Sequence, residues 1–205
     1  MQGPSIYFLR IALMLGIKDF AARLKLRLLL KEYQSIPMSL PKDLNDRKHI
    51  LICLPLGQRE LTMIKPLLPE LTRIFSTSEI YLLASPGSQV YAIFPRKGYR
   101  ILTPSTDQIG WSGLAKKNYV KLLRQNSFDL ILDLNLTSSY FVQSILISFP
   151  KAIRIGGGNK LGAPYYNLEI KSKYLRDEKN IYKSIVEMIG KIKNSQNLTT
   201  DESVN

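Results

Sequence analysis

The apolar positions of this chain fall into runs that predict alternating strands and helices. Residues 50–54 form an uninterrupted apolar run, which is typical of a parallel strand covered on both faces. After a polar turn at residues 57–59, apolar residues recur every three or four positions and share one helical face: Leu61, Ile64, Leu67, Leu68 and Leu71. This stretch predicts a strand, a turn and a helix, the opening of a βαβ unit.

The same alternation continues along the chain. It predicts further strands at residues 79–84, 99–102, 128–134 and 152–155, separated by helices at 88–94, 111–125, 137–149 and 177–193. Alternation at this spacing predicts a single Rossmann-like α/β domain with a mostly parallel sheet flanked by helices. We assign the domain to residues 49–176, followed by a C-terminal helix at 177–193 and a disordered tail at 194–205.

An amphipathic basic helix is predicted to precede the domain. It covers about residues 1–33 and is joined to the domain by a polar linker that ends at residue 48. Its charges leave apolar runs too short for a transmembrane helix, and no small-residue cleavage site follows as in a signal peptide. Two interpretations remain open: the helix packs on the domain, or it lies in the plane of an anionic membrane.

Composition narrows the function classes. The 205 residues carry a formal net charge of +13, which favours polyanionic partners such as nucleic acid, anionic lipid or a phosphorylated substrate. No recognition helix or aromatic RNA-binding pattern accompanies the charge, so nucleic acid is not the expected partner. With one histidine and one cysteine, the chain has no usual zinc ligand set, and Cys53 is expected to be a buried apolar residue.

Glycine-rich phosphate-binding motifs are weak in this sequence. The first strand–helix turn contains one glycine, Gly57, so the dinucleotide fingerprint is absent, and we predict neither a cofactor nor a metal. Gly156, Gly157, Gly158 and Gly162 follow a predicted strand but lead to no helix. They form either a tight connection that requires positive φ or a backbone contact to an anion.

Two acidic residues lie where ligands bind in open α/β sheets, outside the carboxyl ends of the strands. Glu60 follows the first strand and could act as a general base on a hydroxyl group. Alternatively, it is an acidic residue favoured in a first helical turn by the helix dipole. Asp133 ends a central strand and either contacts a ligand or accepts a hydrogen bond from the following turn.

Four motifs, taken together and in order, give a more specific indication. They are ILICLPLGQRELTMIKPLLPEL at 50–71, SEIYLLASP at 78–86, FDLILDLNLTSS at 128–139, and KAIRIGG with APYYNL between 151 and 168. Their order resembles the N-terminal half of the glycosyltransferase family 9 heptosyltransferases, over about residues 49–169. These enzymes transfer heptose from ADP-heptose to the inner core of lipopolysaccharide.

The resemblance implies a GT-B N-terminal domain that binds the acceptor. The family's catalytic aspartate falls on Glu60, where Arg59 is expected to pair with the carboxylate and lower its pKa. Acceptor contacts are expected from Gln58, Arg59, Asp133, Asn135, Ser138 and Ser139.

The partners follow from the same resemblance. The expected acceptor is a phosphorylated, lipid-linked saccharide held in a basic groove, at the cytoplasmic face of the inner membrane. Since family members carry a second, donor-binding domain, a partner chain is expected to supply that half. The alternative is a non-catalytic, membrane-associated binding or scaffold protein derived from such an enzyme.

Overall fold

The computed structural model describes residues 6–31, 37–40, 42–45, 47–94, 99–158, 161–174 and 176–195. In the first helix, side chains are described at residue 14 and from residue 16 onward. The predicted disordered tail lies outside the described residues, apart from residues 194 and 195.

Strands and helices alternate along the described chain. The strands are β1 (His49–Cys53), β2 (Glu79–Leu83), β3 (Arg100–Leu102), β4 (Leu130–Asp133), β5 (Ile153–Gly157) and β6 (Leu168–Ile170). The helices are α1 (Ile6–Lys31), α2 (Gln58–Ile64), α3 (Leu68–Ile74), α4 (Val90–Ile93), α5 (Lys117–Arg124), α6 (Tyr140–Ser148) and α7 (Glu178–Asn194).

The strands form a parallel sheet in the order β3-β2-β1-β4-β5-β6. This order places β1 and β4 at the centre, as their apolar sequences require, because central strands are covered on both faces. The predicted α/β class, with a parallel sheet flanked by helices, is confirmed. Strand β6 was not predicted, because its three residues are too few for a recognisable pattern.

Two apolar layers cover the sheet. On one face, α2, α3 and α7 pack on the strands through residues such as Leu61, Leu71 and Ile185. On the other face, α5 and α6 pack through residues such as Leu123 and Ile145. Full burial of each such side chain contributes about 1.5–3 kcal/mol to the free energy of folding. Both helical layers are therefore firmly packed on the sheet, and the strand ends are held in place between them.

Helix α1 packs on the same side of the sheet as α6. Its Ala22 and Leu26 are buried in a small cluster with Leu114 and Ile147. The interpretation that the helix packs on the domain is therefore correct for the side that carries Ala22 and Leu26. The described residues contain no helix with the length and apolar character needed to cross a membrane.

Two predicted helices begin three or more residues later than expected. The helix predicted at 111–125 begins at Lys117, because the preceding residues form a loop closed by a bridge between Ile109 and Ala115. Gly113 in that loop has a φ of +83°, which an L side chain rarely adopts. The helix predicted at 137–149 begins at Tyr140, so residue 139 is its N-cap.

Candidate functional site

A cavity of about 670 Å³ lies at the carboxyl ends of the central strands. Strand β1 has β2 on one side and β4 on the other, so the chain order reverses there. Such a switch point leaves a crevice between the loops that leave the two strands. The lining includes residues 55–57 after β1, residues 135–139 after β4, and Ser85 after β2.

Glu60 lies in the first turn of α2 and lines this cavity, at the strand edge where the sequence predicts it. Its carboxylate approaches the backbone of Gly57 closely. A Cβ atom on Gly57 would lie 1.9 Å from Glu60 Oε2. Gly57 has an ordinary extended conformation, with φ −75° and ψ 140°, so a side chain there would be limited by the Glu60 carboxylate and not by the backbone. The local turn therefore leaves room for the carboxylate at the cavity wall.

Gln58 and Arg59 lie beside Glu60 in sequence but outside the cavity lining, and both are exposed. Arg59 Nη2 lies 3.4 Å from Glu178 Oε2 of α7. The expected ion pair of Arg59 with Glu60 is therefore wrong for the described residues, because α7 presents a closer carboxylate.

Asp133 is 1% exposed and lies outside the cavity lining. Its Oδ1 accepts hydrogen bonds from Asn135 N at 3.0 Å and Asn135 Nδ2 at 2.6 Å, and Oδ2 accepts one from the Tyr166 hydroxyl at 2.5 Å. These contacts correspond to the turn-bonding alternative. Asp133 thus holds Asn135, which does line the cavity.

Ser138 and Ser139 line the cavity at the start of α6 (Tyr140–Ser148). Ser139 occupies the N-cap position, yet its side chain makes no capping hydrogen bond. The structure thus brings Glu60, Asn135, Ser138 and Ser139 together around one space, while Gln58, Arg59 and Asp133 lie around its periphery.

Two further polar residues of the site come from α7 and were not predicted. Glu178 and Tyr182 both line the cavity, and their spacing of four residues places them on one helical face. Burial raises the pKa of the Tyr182 phenol, and the charges of Glu60, Glu178 and Asp133 raise it further. The phenol is therefore a hydrogen-bond donor at neutral pH. Sequence offered no direct signal for either residue, because their position depends on how α7 packs against α2 and α3.

The charge of the cavity differs from the predicted basic groove. Its charged lining residues, within the described part of the chain, are Glu60 and Glu178, without a lysine or arginine among them. Exposed basic side chains of the described residues, such as Lys18, Lys25 and Arg27, lie outside this lining. Among the described residues, no group of three potential ligands for a metal ion is present.

The glycine cluster near β5 serves close packing. A Cβ on Gly156 would lie 2.3 Å from the Tyr166 ring, and one on Gly157 would lie 2.6 Å from the Ile170 carbonyl oxygen. Gly158 and Gly162 have positive φ values of 85° and 58°. Of the two interpretations, the tight connection fits these contacts.

No family model and no curated protein matches the chain. Among solved structures, the chain is similar to the glycosyl transferase family 9 from Veillonella parvula DSM 2008, with 15% sequence identity and a TM-score of 0.47. The match covers 77% of this chain and 44% of that chain, so this chain spans less than half the length of its solved neighbour. The class defined by the strand order is a Rossmann-like α/β domain with a cleft at its switch point.

Proposed function

We propose that this chain is the acceptor-binding half of a glycosyltransferase family 9-like enzyme of lipopolysaccharide core synthesis, of the heptosyltransferase type. The observation that carries the proposal is the position of Glu60 in the cavity at the switch point of the sheet. The ordered set of four sequence motifs supports it, since the family's catalytic carboxylate falls on the same residue.

In the proposed reaction, Glu60 is the general base. It accepts the proton of the acceptor hydroxyl while that oxygen attacks the anomeric carbon of the donor sugar, and the nucleoside diphosphate leaves. A donor-binding domain, in the same polypeptide or in a partner chain, closes the cleft and holds ADP-heptose. Most of the rate comes from holding donor and acceptor together.

A hydrogen-exchange experiment tests acceptor binding. Inner-core lipopolysaccharide acceptor should protect amides of residues 54–61 and 134–141, both in the native protein and in Glu60→Gln. The rim of the sheet at the opposite strand ends, around Ser78 and Arg100, is the internal control, because it lies outside this cavity. Absence of protection at the cleft contradicts the proposal.

Transfer activity tests the role of Glu60. With a donor-binding domain supplied, Glu60→Gln should lower turnover by about 10²–10⁴-fold, the usual contribution of a general base. The matched control is Glu70→Gln, which alters the acidic residue in the first turn of α3, outside the cavity lining. Equal turnover in the native protein and Glu60→Gln removes Glu60 from the mechanism.

We also propose that α1 attaches the domain to an anionic membrane surface, at the cytoplasmic face of the inner membrane. The side of the helix turned away from Ala22 and Leu26 exposes large apolar residues, among them Phe20, which is 69% exposed. The others are Met14, Ile17, Leu24 and Leu28. Exposed Lys18, Lys25 and Arg27 lie on the same helix, and such a combination is typical of a helix lying in a membrane interface.

Vesicle sedimentation tests the role of α1. Phe20→Ser combined with Leu24→Ser should weaken binding to phosphatidylglycerol vesicles by about 10-fold or more. Two apolar side chains that become partly buried in the lipid contribute over ~1.4 kcal/mol to the free energy of binding. Met188→Ser is the control, since Met188 is also exposed but lies on α7, on the opposite layer. Unchanged binding in the double variant contradicts this proposal.

The exposed apolar side of α1 also favours the second candidate, a non-catalytic membrane-associated binding or scaffold protein. The two candidates share vesicle binding and differ in turnover. Saccharide protection at the cleft without transfer, even with a competent donor domain present, supports the scaffold.

A further inference from the structure

The first turns of α7 contribute two buried polar atoms to the cleft that have no hydrogen-bond partner among the described residues. Tyr182 is 1% exposed and its hydroxyl oxygen is unpaired. Glu178 Oε2 is also buried without a hydrogen bond, although Arg59 lies 3.4 Å away as an ion-pair partner. Both residues line the cavity that contains Glu60.

An unpaired polar atom inside a protein costs free energy, because the group has lost its hydrogen bonds to water. At a cavity wall this cost can be recovered when a ligand supplies the missing partner. Tyr182 is placed for such recovery, since its side chain is held in the core and also borders the empty space.

The chemistry of the lining selects the kind of ligand. Glu60 and Glu178 are acceptors when ionised, and the Tyr182 hydroxyl is a donor that can also accept. A neutral polyol presents hydroxyl groups that both donate and accept, so it can satisfy all three side chains. A phosphate group bound beside Glu60 and Glu178 would be repelled by their carboxylates.

We infer that Glu178 and Tyr182 are binding residues of the cleft, which with Glu60 hold a neutral, hydroxyl-bearing part of a saccharide. The inference rests on the proposed function and deepens it, because it separates two parts of the acceptor. Its sugar hydroxyls occupy the cavity, and its phosphate groups lie outside.

An NMR titration with methyl α-D-mannopyranoside tests this assignment, since the probe is neutral and carries vicinal hydroxyl groups. The probe should shift resonances of the cavity lining, whereas inorganic phosphate at the same concentration should not. Tyr182→Phe, which removes one hydroxyl group, should raise the dissociation constant about 3- to 10-fold.

Tyr119→Phe is the matched control. Tyr119 is also buried with an unpaired hydroxyl, but it packs on the other face of the sheet and does not line the cavity. This variant should leave probe affinity unchanged. A thermal melt of both variants should show that neither loses the fold, because each removes an atom that has no hydrogen-bond partner among the described residues.

Glu178 has its own pair of variants. Glu178→Gln should weaken probe binding, whereas Glu187→Gln should not, because Glu187 lies on the same helix but outside the lining. Equal losses in the two variants would assign the effect to the charge of α7 and overturn the role of Glu178.

The outcomes separate this inference from the proposed function. Saturable probe binding that is equal in Tyr182→Phe and Tyr119→Phe overturns the inference and leaves the proposed function standing. Cleft shifts with phosphate and not with the mannoside overturn the assigned ligand class. A native protein that binds neither the mannoside nor the lipid-linked acceptor overturns the inference and the proposed function together.

Discussion

Gly57→Ala is expected to separate the stability of this protein from the function of its cleft. The new Cβ would lie 1.9 Å from Glu60 Oε2 and 2.8 Å from its Cδ. An ordinary contact begins at 3.4 Å, so the carboxylate must move by about 1.5 Å, which a change of side-chain rotamer can supply. The backbone itself tolerates alanine, because φ −75° and ψ 140° are extended values.

The expected effects on stability and function differ in size. Alanine at a compatible position restricts the unfolded chain and stabilises by about 0.4–1 kcal/mol, while its poorer capping of α2 offsets a similar amount. The net change in unfolding free energy should stay within ~1 kcal/mol, which is about 2–4 °C in Tm for a chain of this size. Displacing the base by 1 Å or more should lower turnover about 100-fold.

The assay combines thermal melting with transfer activity, measured with a donor-binding domain supplied. Gly16→Ala is the control, because Gly16 is a helical glycine whose new Cβ would have no described atom within 4 Å apart from the backbone of its own helix. It should stabilise by about 0.5–1 kcal/mol and leave transfer unchanged. Gly57→Ala combined with Glu60→Gln should be no worse than Glu60→Gln alone, since both act through one carboxylate. Turnover of Gly57→Ala within threefold of the native value would refute this account of Glu60.

Three further predictions concern buried polar groups. Asp133→Asn should lower the unfolding free energy by about 2–4 kcal/mol in urea titrations, since the carboxylate accepts hydrogen bonds inside the core, including one from Tyr166; an unchanged midpoint contradicts this. Asn167→Ala should cost a similar ~2–4 kcal/mol, because Asn167 Oδ1 accepts from the buried Arg154 side chain at 3.2 Å; full stability in a melt would show that Arg154 does not need this acceptor. Burial raises the pKa of the Cys53 thiol well above its usual range, so an aromatic disulfide reagent at pH 8 should modify it only after unfolding in denaturant, and rapid modification of the folded protein would disprove its burial.

The central strands were predictable because a strand buried on both faces has a continuous run of apolar residues, which is visible in the local sequence. Strand β1 was predicted at 50–54 and runs from His49 to Cys53, and β4 was predicted at 128–134 and runs from Leu130 to Asp133. Edge strand β6 has three residues, of which Ile170 alone is fully buried. Short, half-exposed segments of this kind carry too little periodicity to be recognised.

Helix α1 illustrates what periodicity alone cannot determine. Ile17, Phe20 and Leu24 recur at helical spacing in the sequence, yet the structure leaves all three exposed. The helix packs instead through Ala22 and Leu26. Because apolar residues occur around most of its circumference, the sequence predicts a helix but does not determine which side meets the domain.

In the candidate site, some residues are placed by the sequence around them and others by contacts between distant helices. Glu60 was predictable, because a strand, a turn and a helix that are contiguous in sequence place it at the sheet edge. Glu178 and Tyr182 reach the same cavity only through the packing of α7 against α2 and α3, which no local pattern encodes. Net charge alone predicts a basic groove, because the sequence does not reveal that these two residues enter the cavity.

The net charge of the protein and the charge of its cavity have opposite signs, and they act on a ligand at different distances. The excess of +13 produces a field that attracts an anionic surface from a distance, and salt weakens that attraction. Inside the cavity, the charged lining residues among the described ones are Glu60 and Glu178, and their carboxylates favour an uncharged group that donates hydrogen bonds. A cationic exterior and an acidic cleft are therefore compatible in the proposed function. The exterior brings the domain to the membrane that carries the acceptor, and the cleft binds the uncharged hydroxyl groups of that acceptor.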